Sequence, residues 1–104
     1  MKRIMYVEVK SHGLSGAGRI GWVELTRTAR SYRYQGKLLI KVRGYKYNCI
    51  DAETGERYWV SGPRADGRDR LYPGFVAIDA DAQQAYWTEV RKQPQNVASE
   101  RYRS

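Results

Sequence analysis

Reactive and metal-binding side chains are scarce in this sequence, which has 104 residues with one cysteine and one histidine. The single cysteine, Cys49, cannot form a disulfide within the chain, and without a cluster of Cys and His the sequence gives no zinc site. No stretch of about 18 apolar residues is present, which excludes a transmembrane helix. The first ten residues are basic but lack the apolar core of a signal peptide. We therefore expect a cytoplasmic protein that uses no metal and no cofactor and contacts no membrane.

Acidic residues are also few in one half of the chain. Residues 1–50 hold 11 Lys or Arg and 2 Asp or Glu, a net charge of +9, whereas residues 51–104 have a net charge of −1. This asymmetry favours an anionic partner. Nucleic acid is the commonest such partner, because neutralised phosphates release their counterions. A charge that only keeps the protein in solution is the plainer explanation, since basic residues permit nucleic-acid binding without specifying it.

Short alternating segments predict a mainly β fold. Tyrosine-rich strand signals, each closed by a glycine-bearing turn, run from Ser31 to Ser61. Earlier strands are predicted over Arg3–Lys10 and Arg19–Thr26, and Gly21 marks a bulge or a close backbone approach. We expect one compact α+β domain over residues 1–92. Its architecture is a small, strongly bent antiparallel sheet or partly open barrel of six to seven strands with one C-terminal helix.

The helix is predicted to start at a cap provided by Asp79 or Asp81 and to run to about Lys92. Residues 93–104 show no periodicity, and we expect a disordered tail there. Apolar residues at every fourth position predict that the helix docks on the sheet through one stripe, namely Ala82, Tyr86 and Val90.

Alternation along the strands predicts which side chains face the core. The first two strands carry apolar residues on both faces, with Met5, Val7 and Val9 opposite Ile4 and Tyr6, and Ile20 and Trp22 opposite Val23 and Leu25. In the later strands the inward set is Tyr32, Tyr34, Leu38, Ile40, Val42, Tyr45, Tyr47, Cys49, Tyr58 and Val60. Most tyrosines are therefore expected in the core and not on a surface that stacks bases.

A basic outer sheet face follows from the same alternation. The basic side chains between the inward residues point outward, which predicts an anion-binding or nucleic-acid-binding surface formed by Arg33, Lys37, Lys41, Arg43 and Lys46. An ordinary solvated face, whose lysines discourage edge pairing, fits the pattern equally well.

Catalytic combinations of residues are thin. His12 lies in a glycine-rich loop, and Cys49 aligns with apolar neighbours and resembles a small buried hydrophobe. The carboxylates cluster in turns beside arginines, where loop ion pairs are their commonest role. We therefore predict no enzyme and no catalytic site. A metal-dependent hydrolase that uses Asp66 and Asp69 is the remaining enzymatic alternative.

Four segments resemble a family of small bacterial proteins of uncharacterised function. In order they are AGRIGWVELTRTARSYRYQGK, YNCIDAETGERYWVSG, DGRDRLY and IDADAQQAYWTEVR, within roughly residues 17–91. Members of this family have carried the name 1-deoxy-D-xylulose-5-phosphate synthase, but a thiamine-diphosphate enzyme needs a far larger framework. The resemblance implies a compact fold without a mechanism. It draws attention to a polar loop as a possible functional segment, with Asp66, Arg68, Asp69, Arg70 and Tyr72.

Two functions stay open at this point. The first is non-catalytic binding of an anionic partner, with nucleic acid favoured. The second is a protein-interaction module, such as an adaptor, inhibitor or immunity-type protein, that recognises an acidic protein surface. Self-association through a free sheet edge is a further expectation.

Overall fold

The computed structural model describes residues 1–13 and 15–104, in which eight strands and a short helical region form. The strands are β1 (Lys2–Val9), β2 (Gly18–Leu25), β3 (Ser31–Tyr34), β4 (Lys37–Lys41), β5 (Cys49–Asp51), β6 (Arg57–Ser61), β7 (Phe75–Ile78) and β8 (Arg101–Arg103). A 3₁₀ turn (Ala80–Ala82), a one-turn α-helix, α1 (Gln83–Ala85), and a π-helical turn (Tyr86–Val90) follow one another directly. We call these three pieces the C-terminal helix. A second 3₁₀ turn (Pro94–Asn96) precedes β8.

Six antiparallel strands close into a barrel. Their order is β1, β6, β5, β4, β3, β2, and β1 pairs back with β2 along the longest ladder, from Lys2 opposite Glu24 to Glu8 opposite Gly18. Outside the barrel, β7 runs parallel to the first half of β2, and β8 pairs antiparallel with β7. The predicted mainly β fold with one C-terminal helix is confirmed, and the sheet is a closed barrel with two added strands.

The strands β1 and β2 form a wall between two hydrophobic cores. The barrel interior contains Val7, Val23, Tyr34, Leu39, Cys49, Tyr58 and Val60. The other side of the wall packs against the C-terminal helix, β7 and β8. We call this second cluster the outer core, and it contains Tyr6, Ile20, Val76, Ile78, Tyr86, Trp87 and Tyr102. The prediction that both strands are apolar on both faces is confirmed, because each face serves a different core.

Gly21 lies beside Asp79, the residue that precedes the C-terminal helix. A Cβ at this position would lie 2.2 Å from Asp79 Oδ2 and 2.7 Å from a ring carbon of Tyr34. The β1–β2 ladder passes through Gly21, opposite Met5, in unbroken register. Of the two predicted reasons for this glycine, the structure therefore supports the close approach.

The strand β4 turns the opposite face inward from the one predicted. Leu39 is fully buried, whereas Ile40 is 42% exposed and Leu38 is half-buried. Three apolar residues in a row offer no alternation from which to choose a face. The register is set instead by the two-residue turn at Gln35 and Gly36, both with positive φ, which joins β3 to β4.

The chain leaves the sheet after β4, which changes the places of three predicted core residues. Val42 lies outside any strand, Tyr45 is 89% exposed and Tyr47 is half-buried. Cys49 is fully buried at the start of β5, as predicted. The strand β4 ends at Lys41 and β5 begins only at Cys49, so the period of two cannot be carried from β4 to β5.

The C-terminal helix buries its predicted stripe. Ala82 and Tyr86 are fully buried, and Val90 packs at the margin of the outer core. The helix ends at Val90, two residues before the predicted end. Within residues 1–13 and 15–104, no helix is long and apolar enough to cross a membrane.

Residues 93–104, where the sequence predicts a disordered tail, contribute a 3₁₀ turn and the edge strand β8. Tyr102 is 6% exposed and stacks on Tyr86 with ring centroids 5.3 Å apart. Its hydroxyl donates a hydrogen bond of 2.5 Å to Asp69. A single aromatic residue between two arginines is too short a pattern to predict a strand, and this one forms because β7 offers an edge to pair with.

The docking of β8 predicts that Tyr102→Ala lowers the free energy of unfolding by about 3–5 kcal/mol, because it empties a filled aromatic site. Urea denaturation measures the change. Tyr45→Ala is the matched control: its ring is 89% exposed, and the expected change is within about 0.5 kcal/mol. Equal, small effects of the two substitutions would contradict the docking of the chain end.

Stability is expected to fall at alkaline pH. Burial raises the pKa of the Cys49 thiol from 9.0 to about 11. The unfolded chain therefore releases this proton first, so the stabilisation is complete below pH 9 and is lost as the pH approaches 11. Burial also raises the pKa of several tyrosines above 10.0, which extends the loss to higher pH: Tyr6, Tyr34, Tyr58, Tyr86 and Tyr102.

Urea denaturation between pH 7 and pH 11 measures this loss. Cys49→Ala is expected to flatten the slope of the unfolding free energy between pH 9 and 11, whatever it does to stability at pH 7. An unchanged slope in the variant would show that the thiol does not contribute.

Candidate functional site

A buried carboxylate lies near the end of β1. Glu8 is 2% exposed, and the hydroxyl of Tyr6 donates a hydrogen bond to its Oε1. Lys10 Nζ lies 2.7 Å from Oε2, and the backbone N–H of Gly16 donates to the same oxygen at 3.2 Å. Arg70 Nη1 is 3.9 Å from Oε1. Two cations and two hydrogen bonds therefore compensate the carboxylate, as burial of a charge requires.

Arg70 belongs to the loop between β6 and β7 and is held by several acceptors. Its Nη1 donates to the carbonyl of Gly16 at 2.7 Å, and its Nη2 to the Ser15 hydroxyl at 2.6 Å. Its Nε donates to the carbonyl of Tyr72 at 3.1 Å. With a side chain only 7% exposed, Arg70 ties this loop to the β1–β2 connection.

A cavity of about 560 Å³ opens beside this network. Its charged lining consists of five cations, Lys10, Lys46, Arg64, Arg68 and Arg70, and two carboxylates, Glu8 and Asp69. Its largest apolar side chains are Tyr45, Trp59 and Leu71. We call the cavity with these ten residues the cationic pocket. Its volume lies within the range of roughly 300–1,000 Å³ that is usual for ligand sites.

Both carboxylates of the cationic pocket are already engaged. Glu8 is held by the network described above. Asp69 accepts hydrogen bonds from the Tyr102 hydroxyl at 2.5 Å and from the backbone N–H of Arg64 at 2.7 Å. Five cations against two carboxylates leave a net charge of +3 around the cavity, which favours an anionic occupant.

The positive charge is graded from the floor of the pocket to its rim. Lys10 and Arg70, at the floor, have side chains that are 9% and 7% exposed and share the carboxylate of Glu8. At the rim, the Arg64 side chain is 65% exposed, and Lys46 and Arg68 are exposed as well. The surplus charge is therefore presented by the rim, where a ligand first arrives.

The loop between β4 and β5 carries Tyr45 and Lys46 to the pocket and is anchored by Asn48. The amide of Asn48 donates to the carbonyl of Val60 at 2.8 Å and accepts from the N–H of Val60 at 2.8 Å. The backbone N–H of Asn48 donates to the carbonyl of Tyr58 at 3.0 Å. The hydrogen bonds of the Asn48 side chain thus take the place of the backbone hydrogen bonds between paired strands, and they hold the loop against β6.

The structure does not bring the predicted basic face together. Arg33 and Lys37 line a separate groove of about 310 Å³ beside the β3–β4 turn. Lys41 and Arg43 are exposed at the end of β4 and in the following loop. Lys46 lines the cationic pocket. The inverted face of β4 explains this separation. Lys37 and Lys41 lie on the same face of the strand as the buried Leu39, and not on the outward face where the sequence predicts them.

The predicted polar loop is divided between the pocket and its support. Arg68, Asp69 and Arg70 line the cavity. Asp66 accepts a hydrogen bond from the backbone N–H of Arg68 at 2.9 Å, and this bond, with help from a neighbouring guanidinium, holds the pKa of Asp66 below its ordinary value. Tyr72 supplies a carbonyl to Arg70. Asp66 and Asp69 both accept backbone N–H groups, which is the geometry of loop-building residues.

Sequence reasoning missed several members of the pocket. A signal existed for Trp59, because it alternates with the buried Tyr58 and Val60 and so faces away from the barrel interior. Lys10 and Tyr45 gave no comparable signal, since each follows a strand end or a turn. Among the described residues, no three His, Cys, Asp or Glu side chains gather where they could hold a metal ion.

The compensation of Glu8 predicts that Glu8→Gln lowers the free energy of unfolding by about 3 kcal/mol, because two nearly buried cations lose their counter-charge. Urea denaturation at neutral pH measures the loss. Glu53→Gln, in an exposed turn, is the control and is expected to leave stability unchanged. Wild-type stability of Glu8→Gln would mean that Lys10 and Arg70 do not depend on the carboxylate.

Comparison of the chain with family models, curated proteins and solved structures gives no match. The resemblance to a family of small bacterial proteins therefore stays a prediction.

Proposed function

We propose that this protein binds nucleic acid without catalysing a reaction on it, and that it does so through the cationic pocket. The observation that most supports the proposal is the convergence of five Lys and Arg side chains on one cavity whose two carboxylates are already engaged. Phosphates of a nucleic-acid backbone would supply the missing negative charge and release counterions on binding.

The rim suits phosphate chemistry in particular. Arg64 and Arg68 present guanidinium groups, which donate two parallel hydrogen bonds to a phosphate. Arg64 also pairs with Asp66 at 3.2 Å, in a bridge whose two side chains are 65% and 46% exposed. A bridge this open to solvent contributes little, so the guanidinium can exchange it for a phosphate.

The remaining residues of the predicted basic face have a secondary role in this proposal. Arg33, Lys37, Lys41 and Arg43 do not line the pocket. They add to the positive potential that attracts an anionic chain before it docks. Direct contacts are assigned to the rim.

Recognition of an acidic protein surface is the alternative function. The observation that favours it is the exposure of Tyr45 (89%) and Leu71 (71%) at the cationic pocket. Exposed aromatic residues beside arginines are typical of the residues that dominate protein interfaces. A stoichiometric protein complex that survives nuclease treatment would favour this alternative over nucleic acid.

We place the protein in the cytoplasm, where nucleic-acid partners are available and a buried, unpaired thiol such as Cys49 stays reduced. Self-association through a sheet edge receives less support. The strand β8, which ends the sheet order, is three residues long and flanks Tyr102 with two arginines. Short edges that carry charge discourage pairing with another chain.

Binding is expected to weaken steeply with salt. Fluorescence anisotropy with labelled single-stranded and duplex oligonucleotides, over a range of salt concentrations, gives the slope of log K against log salt. Three rim cations predict a slope of about −2 to −3, at roughly −0.7 to −0.9 per phosphate contact. The double substitution Lys46→Glu and Arg68→Glu is expected to lower affinity by about tenfold or more and to flatten the slope.

The matched control is the double substitution Arg33→Glu and Lys41→Glu, which changes the net charge equally but lies away from the pocket. We expect a clearly smaller loss of affinity in this variant. Equal losses in the two pairs would assign binding to net charge and remove the pocket from the proposal. Absence of binding at low salt would remove nucleic acid as the partner.

A further inference from the structure

We propose that the cationic pocket takes one unpaired nucleobase with its adjoining phosphates, so that the protein selects single-stranded over duplex nucleic acid. This inference rests on the proposed function and names the class of nucleic acid. It follows from the aromatic side chains of the pocket, from its depth and from the graded charge.

Trp59 provides a fixed aromatic wall. It lies opposite Glu8 in the β1–β6 ladder, so its ring is the cross-strand neighbour of the charged floor. Part of the indole packs against the outer core, and the side chain also lines the cavity. A ring held by strand pairing and by packing is already ordered, so little conformational freedom is lost when a base stacks on it.

Tyr45 provides a second ring at the same cavity. Its side chain is 89% exposed, yet its loop is anchored through the paired hydrogen bonds between Asn48 and Val60. Because the loop is anchored, the ring of Tyr45 stays in contact with water in the unbound protein, and only a bound ligand can cover it. A nucleobase against Trp59 would be within reach of this ring, because both line the pocket.

The depth of the pocket separates single strands from duplexes. In a duplex the bases are stacked and paired, so phosphates at its surface could contact the exposed rim formed by Lys46, Arg64 and Arg68. The floor is out of their reach, because Lys10 and Arg70 are less than a tenth exposed. An unstacked base can enter a cavity of about 560 Å³ and leave its phosphates at the rim.

Three probes of equal length test the inference by fluorescence anisotropy at low salt. They are a twelve-nucleotide single strand of DNA, the corresponding duplex and an abasic strand that keeps the phosphates. The single strand is expected to bind about tenfold tighter than either of the others, since both lack an accessible base. Duplex and abasic strands that bind as tightly as the single strand would overturn the inference.

Variants locate the effect on the rings. Tyr45→Ala is expected to lower affinity for the single strand by about fivefold to tenfold and to leave duplex binding unchanged. Phe75→Ala, which removes an aromatic ring of β7 that is 54% exposed and lies outside the pocket lining, is the matched control and should leave both unchanged. Equal behaviour of the two variants would exclude Tyr45 from base binding.

Trp59→Phe keeps a flat ring and removes the fluorophore. The single strand should quench the tryptophan fluorescence of the wild-type protein. The variant should keep most of its affinity but lose most of the quenching, because its remaining tryptophans, Trp22 and Trp87, do not line the pocket. Quenching that persists in Trp59→Phe would place the base elsewhere.

The outcomes separate the two proposals. Salt-sensitive binding that is equal for all three probes would retain nucleic-acid binding and reject base insertion. Failure of every probe to bind would reject both. Preference for the single strand that is reduced by Tyr45→Ala, together with weaker binding of every probe after rim charge reversal, would support both.

Discussion

The carboxylate of Glu8 lies almost entirely out of solvent, and the groups arranged around it hold together parts of the chain that are far apart in sequence. Arg70 reaches it from the β6–β7 loop, Lys10 from the end of β1, and the backbone of Gly16 from the β1–β2 connection. An uncompensated charge at this depth would be strongly unfavourable, so each contact is needed by the others. This requirement fixes the position of Lys10 and Arg70, which form the floor of the cationic pocket. Arg70 in turn anchors the β6–β7 loop, which carries Arg64 and Arg68 of the rim.

A second polar joint connects the barrel to the C-terminal helix and leaves the pocket untouched. Asp79 accepts a hydrogen bond from the Tyr34 hydroxyl at 2.6 Å and pairs with Arg19 Nη2 at 2.7 Å. Burial, followed by the bond to Asp79, raises the pKa of Tyr34, so the hydroxyl stays a donor across the physiological range. Gly21 leaves space for these contacts of Asp79. The contacts of Asp79 orient the helix, and the contacts of Glu8 build the binding surface.

The fold could be predicted where alternation is uninterrupted, and the site could not. Both faces of β1 and β2 follow from their apolar pattern, and the helix stripe follows from its spacing. The face of β4 could not be read from the apolar run Leu38–Ile40, because a turn sets its register. The pocket draws Lys10, Lys46, Trp59 and Arg70 from separate loops and strands. Only the three-dimensional path of the chain brings such residues together, although the sequence predicts a binding role for Lys46 and the resemblance draws attention to the polar loop that contains Arg70.

The double-sided wall formed by β1 has a consequence for how substitutions combine. Tyr6 and Val7 are adjacent in sequence, but each packs in a different core. Their side chains share no core neighbours, so the effects of truncating both should add. Tyr6 and Tyr86 are 80 positions apart and belong to one core, so their effects should couple. Successive residues of β1 are therefore expected to couple energetically with different cores.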